Sequence, residues 1–260
     1  MNLPFHIINR VVNMKFLYKG YQVHYEYEGN GPTLIMLHGW GVNSSTFSSI
    51  FNRLKDDYKI LRFDFIGFGE SSMPVIPFHL DDYVDMLRSL IVYLGIDDFM
   101  ILGHSFGGRV AIVYASMYKV RQLILVSSAG LVHFSIKTKF KIFKYKALKR
   151  LYKLTSKKRL EKLQSKSGSK DYKDASPVMK KTMSNIIKRD LKKEIRVLDV
   201  STLILWGYSD KSTPYKDALL MHKLIKGSKL ITFYNSRHFC YIEEEDKFVN
   251  VLKKEGRKNE

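Results

Sequence analysis

Apolar residues along this chain recur in two rhythms. Short runs, "TLIML" (33–37), "YKILRF" (58–63), "FMILG" (99–103), "VRQLILV" (120–126), "STLILW" (201–206) and "KLITFY" (229–234), read as strands. Several are apolar on consecutive residues, the pattern of strands covered on both faces in a parallel sheet. Between them the period lengthens to that of a helix. In "HLDDYVDMLRSLIVYL" (79–94), Leu80, Tyr83, Val84, Leu87, Leu90, Ile91 and Leu94 share one face, and 106–118, 215–226 and 243–254 are further candidates. Strand alternating with helix predicts an α/β fold, a mostly parallel doubly wound sheet with right-handed crossovers. The opening "KFLYKGYQVHYEY" alternates around Lys19-Gly20 and predicts an antiparallel hairpin at the sheet edge.

The pattern breaks over residues 131–197, where no good strand appears. "FKIFKYKALKRLYKL" sets Phe140, Phe143, Ala147, Leu148, Leu151 and Leu154 at helical spacing with lysines between. A turn-rich loop, "SKSGSKDYKDASP", leads to a second helical stretch, "VMKKTMSNIIKRDLKKEI". The expected organisation is a core in two parts, 1–130 and 198–260, with a helical insert at 131–197. Residues 1–13 receive no role.

Charge sharpens this division. The insert holds 22 Lys/Arg and 5 Asp/Glu, a balance of +17 out of a total of +19; the other 193 residues carry the remaining +2. The chain of 260 residues, 45% hydrophobic, is long enough for one large core. Its one cysteine, Cys240, rules out an intrachain disulfide and favours a reducing, cytoplasmic setting. No run has the length of a membrane span, and the N-terminus lacks the apolar region of a secretion signal. Cys240 itself reads as a small buried residue.

The chemistry concentrates at "FMILGHSFGG" (99–108). Gly103-His104-Ser105-Phe106-Gly107 fits G-x-S-x-G between a strand and a helix. That spacing forces a turn at the serine which aims its hydroxyl out of the sheet, and the flanking glycines leave room for the crossing backbones. A helix cap beside a glycine turn is the alternative; the strand before and helix after favour the elbow. A serine nucleophile needs a base, and the base an orienting acid. Of the 8 histidines, His6, His24, His79, His133 and His222 lie in the N-terminal arm, the hairpin, helices or the insert. His104 adjoins the serine and should point away from it. His238, after the last strand, is the candidate base. Asp210, in "GYSDKSTP" after another strand, is the candidate acid, with Asp217 a weaker rival. "LHGWG" (37–41) follows the first parallel strand, where His38 and Gly39 support a bend that turns the N–H of Trp40 toward the serine; the N–H of Phe106 is the second donor of an oxyanion hole.

Together, "LHGWG", "FDFIGFGESS" (63–72), "GHSFGG" (103–108), "WGYSDKSTP" (206–214) and "SRHF" (236–239) resemble the α/β-hydrolase superfamily in its small capped branch, in family order and over nearly all of the chain outside 131–197. The resemblance implies a carboxylesterase working through an acyl-enzyme, with Ser105 as nucleophile, His238 as base and Asp210 as acid, and with no metal or organic cofactor. Rivals with the same triad are carbon–carbon bond hydrolases of the meta-cleavage type, proline-type aminopeptidases and lipid-directed esterases; a non-catalytic binding protein is the rival of another class. Members usually carry glycine directly before the histidine, where this chain has Arg237, a difference that bears on the local loop. The basic insert, over the serine in capped relatives, admits three readings: a solvated lysine-rich surface, attraction for an anionic substrate or acidic carrier protein, and peripheral contact with anionic lipid. Nucleic acid fits poorly, since no recognition motif accompanies the charge.

Overall fold

A computed structural model of the chain describes residues 14–132, 136–165 and 170–256. The N-terminal arm 1–13, with His6, and His133 lie outside them. Eight strands form one sheet: β1 (Met14–Tyr18), β2 (Tyr21–Gly29), β3 (Thr33–Leu37), β4 (Lys59–Phe63), β5 (Phe99–His104), β6 (Gln122–Val126), β7 (Thr202–Gly207) and β8 (Lys229–Phe233). Their spatial order is β1-β2-β4-β3-β5-β6-β7-β8. The predicted hairpin is present at the edge, with Leu17 opposite Gln22, and β2 joins β4 antiparallel. All later neighbours are parallel, with Ile35 between Leu61 on one side and Ile101 on the other.

Every residue of β5, β6 and β7 is buried, which is why their sequences are apolar without alternation. One face of the sheet is covered by α2 (Leu80–Tyr93), α3 (Phe106–Met117) and α9 (Tyr215–Leu224), which share a buried cluster with it. The other is covered by α1 (Ser48–Leu54), α10 (Cys240–Glu243) and α11 (Glu245–Gly256). Each buried Leu, Ile or Phe in these layers contributes about 1.5–3 kcal/mol.

Between β6 and β7 the described residues form no strand, and the elements there are helices: α4 (Ile136–Thr155), α5 (Lys157–Ser165), α6 (Lys170–Asp174), α7 (Pro177–Ile187) and α8 (Lys192–Arg196). α7 begins with Pro177 in its first turn and a Ser176 side chain accepting from Met179 N, a start that the sequence spells out. The far end of this region is anchored in the main core: Ile186, Leu191 and Ile195 are buried with the sheet residues, and Leu191 N donates to Gly130 O at 2.9 Å.

The chain leaves β3 toward β4 on one side, then crosses back to β5 on the other. Loops leaving the ends of β3 and β5 therefore part to opposite faces, and a crevice opens between them.

Candidate active site

Ser105 sits in that crevice, at the step from β5 to α3. Its backbone has φ +51° and ψ −109°, a region L-residues rarely occupy. The turn is held by main-chain bonds: Ser105 N donates to Val126 O at 3.1 Å, and Ala129 N donates to Ser105 O at 3.0 Å. Gly107 is required by close approach, since a Cβ there would stand 2.2 Å from Leu37 O, and one on Gly103 would stand 2.6 Å from Gly107 O. The glycines of G-x-S-x-G are thus the places where α3 crosses β3 and β5.

The candidate base and acid arrive on loops after β8 and β7. His238 Nδ1 lies 2.8 Å from Asp210 Oδ2, with the Asp210 side chain fully shielded from solvent. Asp210 has further donors. Ser212 N and Thr213 N reach Oδ1 at 2.7 and 3.0 Å, and Thr213 Oγ1 lies 2.8 Å from Oδ2. Burial alone would raise this carboxyl, but the hydrogen bond and charge of His238 and the Thr213 bonds outweigh it and hold Asp210 below the usual carboxylate value. An ionised Asp210 accepts Nδ1–H and so presents Nε2 as the basic nitrogen. The rival Asp217 is buried in the first turn of α9.

Ser105 and His238 line one cavity of about 540 Å³ together with Gly39, Trp40, Phe106, Arg109 and, from α7, Met183, Ile186 and Ile187. Among the described residues no hydrogen bond joins Ser105 Oγ to an imidazole. Such nucleophile–base bonds are often loose until substrate is bound.

The loop after β3 forms the facing wall. His38 is wholly buried, and burial pushes its pKa down to about 4, so the ring is neutral. Its Nε2 accepts from Phe65 N at 3.0 Å, which leaves Nδ1–H to donate to Gly39 O at 2.7 Å. Because a peptide's C=O and N–H point in opposite directions, fixing Gly39 O directs the Trp40 N–H away from His38. Gly39 itself is so near the elbow that a Cβ on it would lie 3.4 Å from Ser105 Cβ. Phe106 opens α3, where N–H groups lack helical partners. The Trp40 and Phe106 rings meet edge to face at 5.5 Å. Asp64, from "FDFIGFGESS", ties the neighbouring loops by accepting from Ser44 N and Glu70 N, each at 2.8 Å.

Two features of the site are not in the sequence reading. His104 does more than point away: its Nε2 donates to His238 O at 3.0 Å, and the two rings are 4.8 Å apart. Burial lowers its pKa to about 3. Thr213 is the second, as the hydroxyl beside both Asp210 and His238. At the Arg237 departure the loop needs no left-handed backbone. Arg237 is not among the described residues with positive φ, and its N–H is held by the Glu243 carboxylate while Ser236 Oγ donates to Glu244 at 2.6 Å.

With this geometry in hand, residues 32–245 match the family model described as the alpha/beta hydrolase fold. The chain belongs to the α/β-hydrolase family. Within it, the chain is 28% identical over 256 residues to the AB hydrolase superfamily protein YisY of Bacillus subtilis, covering 86% of this chain and 91% of that protein. It is 29% identical over 282 residues to a proline iminopeptidase of Saccharolobus solfataricus, covering 94% and 89%. Among solved structures, an esterase from Exiguobacterium antarcticum superposes with a TM-score of 0.73 at 26% identity, covering 92% of this chain and 96% of that one. This α/β-hydrolase thus carries its G-x-S-x-G serine, a paired Asp–His and the β3 loop in one crevice.

Proposed function

We propose that this protein is a serine hydrolase that cleaves carboxylic esters through an acyl-enzyme on Ser105. The observation that carries the reading is the 2.8 Å Asp210–His238 pair in the wall of the cavity that holds Ser105 on its forced turn. His238 Nε2 removes the Ser105 proton, and Oγ attacks the ester carbonyl. The N–H groups of Trp40 and Phe106 receive the oxyanion; one such donor is typically worth about 3 kcal/mol in the transition state. His238 returns the proton to the departing alkoxide, then activates a water that releases the acid and restores the serine. No step needs a metal or organic cofactor. In this reading residues 131–197 act as a cap on the two-part core, with α7 roofing the substrate, and a reducing cytoplasm suits the single, buried Cys240.

Lining chemistry supports an ester over an N-terminal peptide. Among the described residues around the Ser105 cavity none is Asp or Glu, and Arg109 carries the permanent charge. A peptide's free ammonium would find no carboxylate there, whereas a neutral or anionic ester meets no repulsion. A panel of p-nitrophenyl esters of increasing chain length, run beside proline p-nitroanilide and a dienol meta-cleavage product, tests this. Ester turnover should dominate; faster turnover of the proline anilide or the dienol would overturn the ester assignment while leaving the nucleophile in place.

A further inference from the structure

Helix α4 takes no part in the site described above. Eight of its 20 residues are Lys or Arg and none is Asp or Glu. Tyr145, Leu148 and Tyr152 are half-buried and mark its inner side. On the outer side Phe143, Leu151 and Leu154 are exposed, at 71%, 53% and 84%. With Ala147 they fall at positions 143, 147, 151 and 154, the spacing of a single stripe. Single exposed apolar residues are ordinary, but an aligned stripe is a contact surface. Exposed cations border it on both edges, Lys144 on one, Arg150 and Lys153 on the other. The exposed Lys157, Lys158 and Arg159 of α5 extend the charge.

We propose that α4 docks the protein in the plane of an anionic lipid bilayer, with Phe143, Leu151 and Leu154 among the acyl chains and the flanking Lys and Arg among lipid phosphates. Both halves of the surface are then used, since long basic side chains bury their stems and keep their charges at the headgroups. Charge complementarity selects this occupant. A second copy would bring the same positive charge, and residues 1–13 hold Arg10 and no acidic residue, so neither complements the stripe. An acidic protein would satisfy the charges without requiring the apolar row. Among the described residues no helix is long and apolar enough to cross a bilayer, so the contact is with one leaflet.

Vesicle co-sedimentation tests the proposal without reference to catalysis. The full chain should partition at least about tenfold more onto phosphatidylcholine–phosphatidylglycerol vesicles than onto phosphatidylcholine alone, and less in high salt. Phe143→Ser/Leu154→Ser and Lys144→Glu/Arg150→Glu should each reduce the anionic partition about tenfold. Both should hydrolyse a soluble ester at the wild-type rate, and circular dichroism should confirm that they are folded. Ser105→Ala should bind vesicles like the wild type. Equal partition onto both vesicles would overturn the proposal. So would anionic binding that the serine pair leaves unchanged and that soluble polyglutamate abolishes, which would mark a surface for acidic polymers.

Discussion

His104 donates a 3.0 Å hydrogen bond from Nε2 to the main-chain oxygen of His238. The residue before the candidate nucleophile thereby fixes the backbone of the candidate base. The bond spans 134 positions of sequence and joins the end of β5 to the loop after β8. His104→Ala should lower kcat toward a soluble ester by about tenfold with little change in KM, because a bond of this kind contributes about 1 kcal/mol and the loop it releases carries the base. A change in KM alone would show that the bond serves substrate binding instead.

Buried histidines should also set the acid limit of stability. His38 and His104 ordinarily titrate near 6.5, but in the fold they are held at about 4 and about 3 by burial. Between those values the unfolded chain binds a proton that the folded chain refuses, so stability is full above 6.5 and declines as pH falls toward 4. Each histidine contributes a slope of about 1.4 kcal/mol per pH unit. Asp210 and Asp64 are held below the carboxylate value and add their loss at lower pH. Denaturant midpoints measured from pH 7 downward should show the decline, and His104→Asn should roughly halve its slope. An unchanged slope would contradict a neutral, buried His104.

Thr213 has a more local task. Its hydroxyl lies 2.8 Å from Asp210 Oδ2, 3.0 Å from Ser127 O and 3.3 Å from His238 Nδ1. Thr213→Val keeps the shape and removes the hydroxyl, and kcat/KM should drop about tenfold. Asp210→Asn should cost far more, on the order of 10⁴ in kcat, by favouring the wrong tautomer of His238. Equal losses in the two variants would place Thr213 on a par with the acid.

Trp40 stands between two spaces. It lines the Ser105 cavity and a neighbouring one of about 320 Å³ bounded by Phe68, Met73 and Met179. Trp40→Ala retains the main-chain N–H assigned to the oxyanion hole while removing the partition. The preferred p-nitrophenyl ester should shift to a longer chain. A uniform loss across chain lengths would show that the indole instead holds the loop in place.

Much of this was legible before any coordinates. The strands stood out because burial on both faces leaves the middles of β5 to β7 apolar, with polar His104, Gln122 and Thr202 only at their ends, and α2 because its apolar face repeats through four turns. Asp210 and His238 were found by their positions after late strands, which the topology then brings together. What stayed hidden depends on tertiary contact. Helix α1 was not predicted, because "SSIFNRL" has only a short apolar face and gains its stability by packing Ile50, Phe51 and Leu54 against the sheet. The role of His104 rests on a main-chain carbonyl 134 positions away, and that of Thr213 on His238, 25 positions away, as well as on nearby Asp210. In α4 the periodicity showed a helix, yet spacing cannot say which side faces the body, and the row containing Phe143 and Leu154 faces solvent.

The central claim is that the Ser105 hydroxyl is the nucleophile. A fluorophosphonate probe, with intact-mass and peptide mapping of the wild type and Ser105→Ala, tests it most directly. The account predicts a single adduct on Ser105, absent from the alanine variant, with ester hydrolysis lost in parallel. Labelling and hydrolysis that persist in Ser105→Ala, or an adduct on another residue, would contradict it.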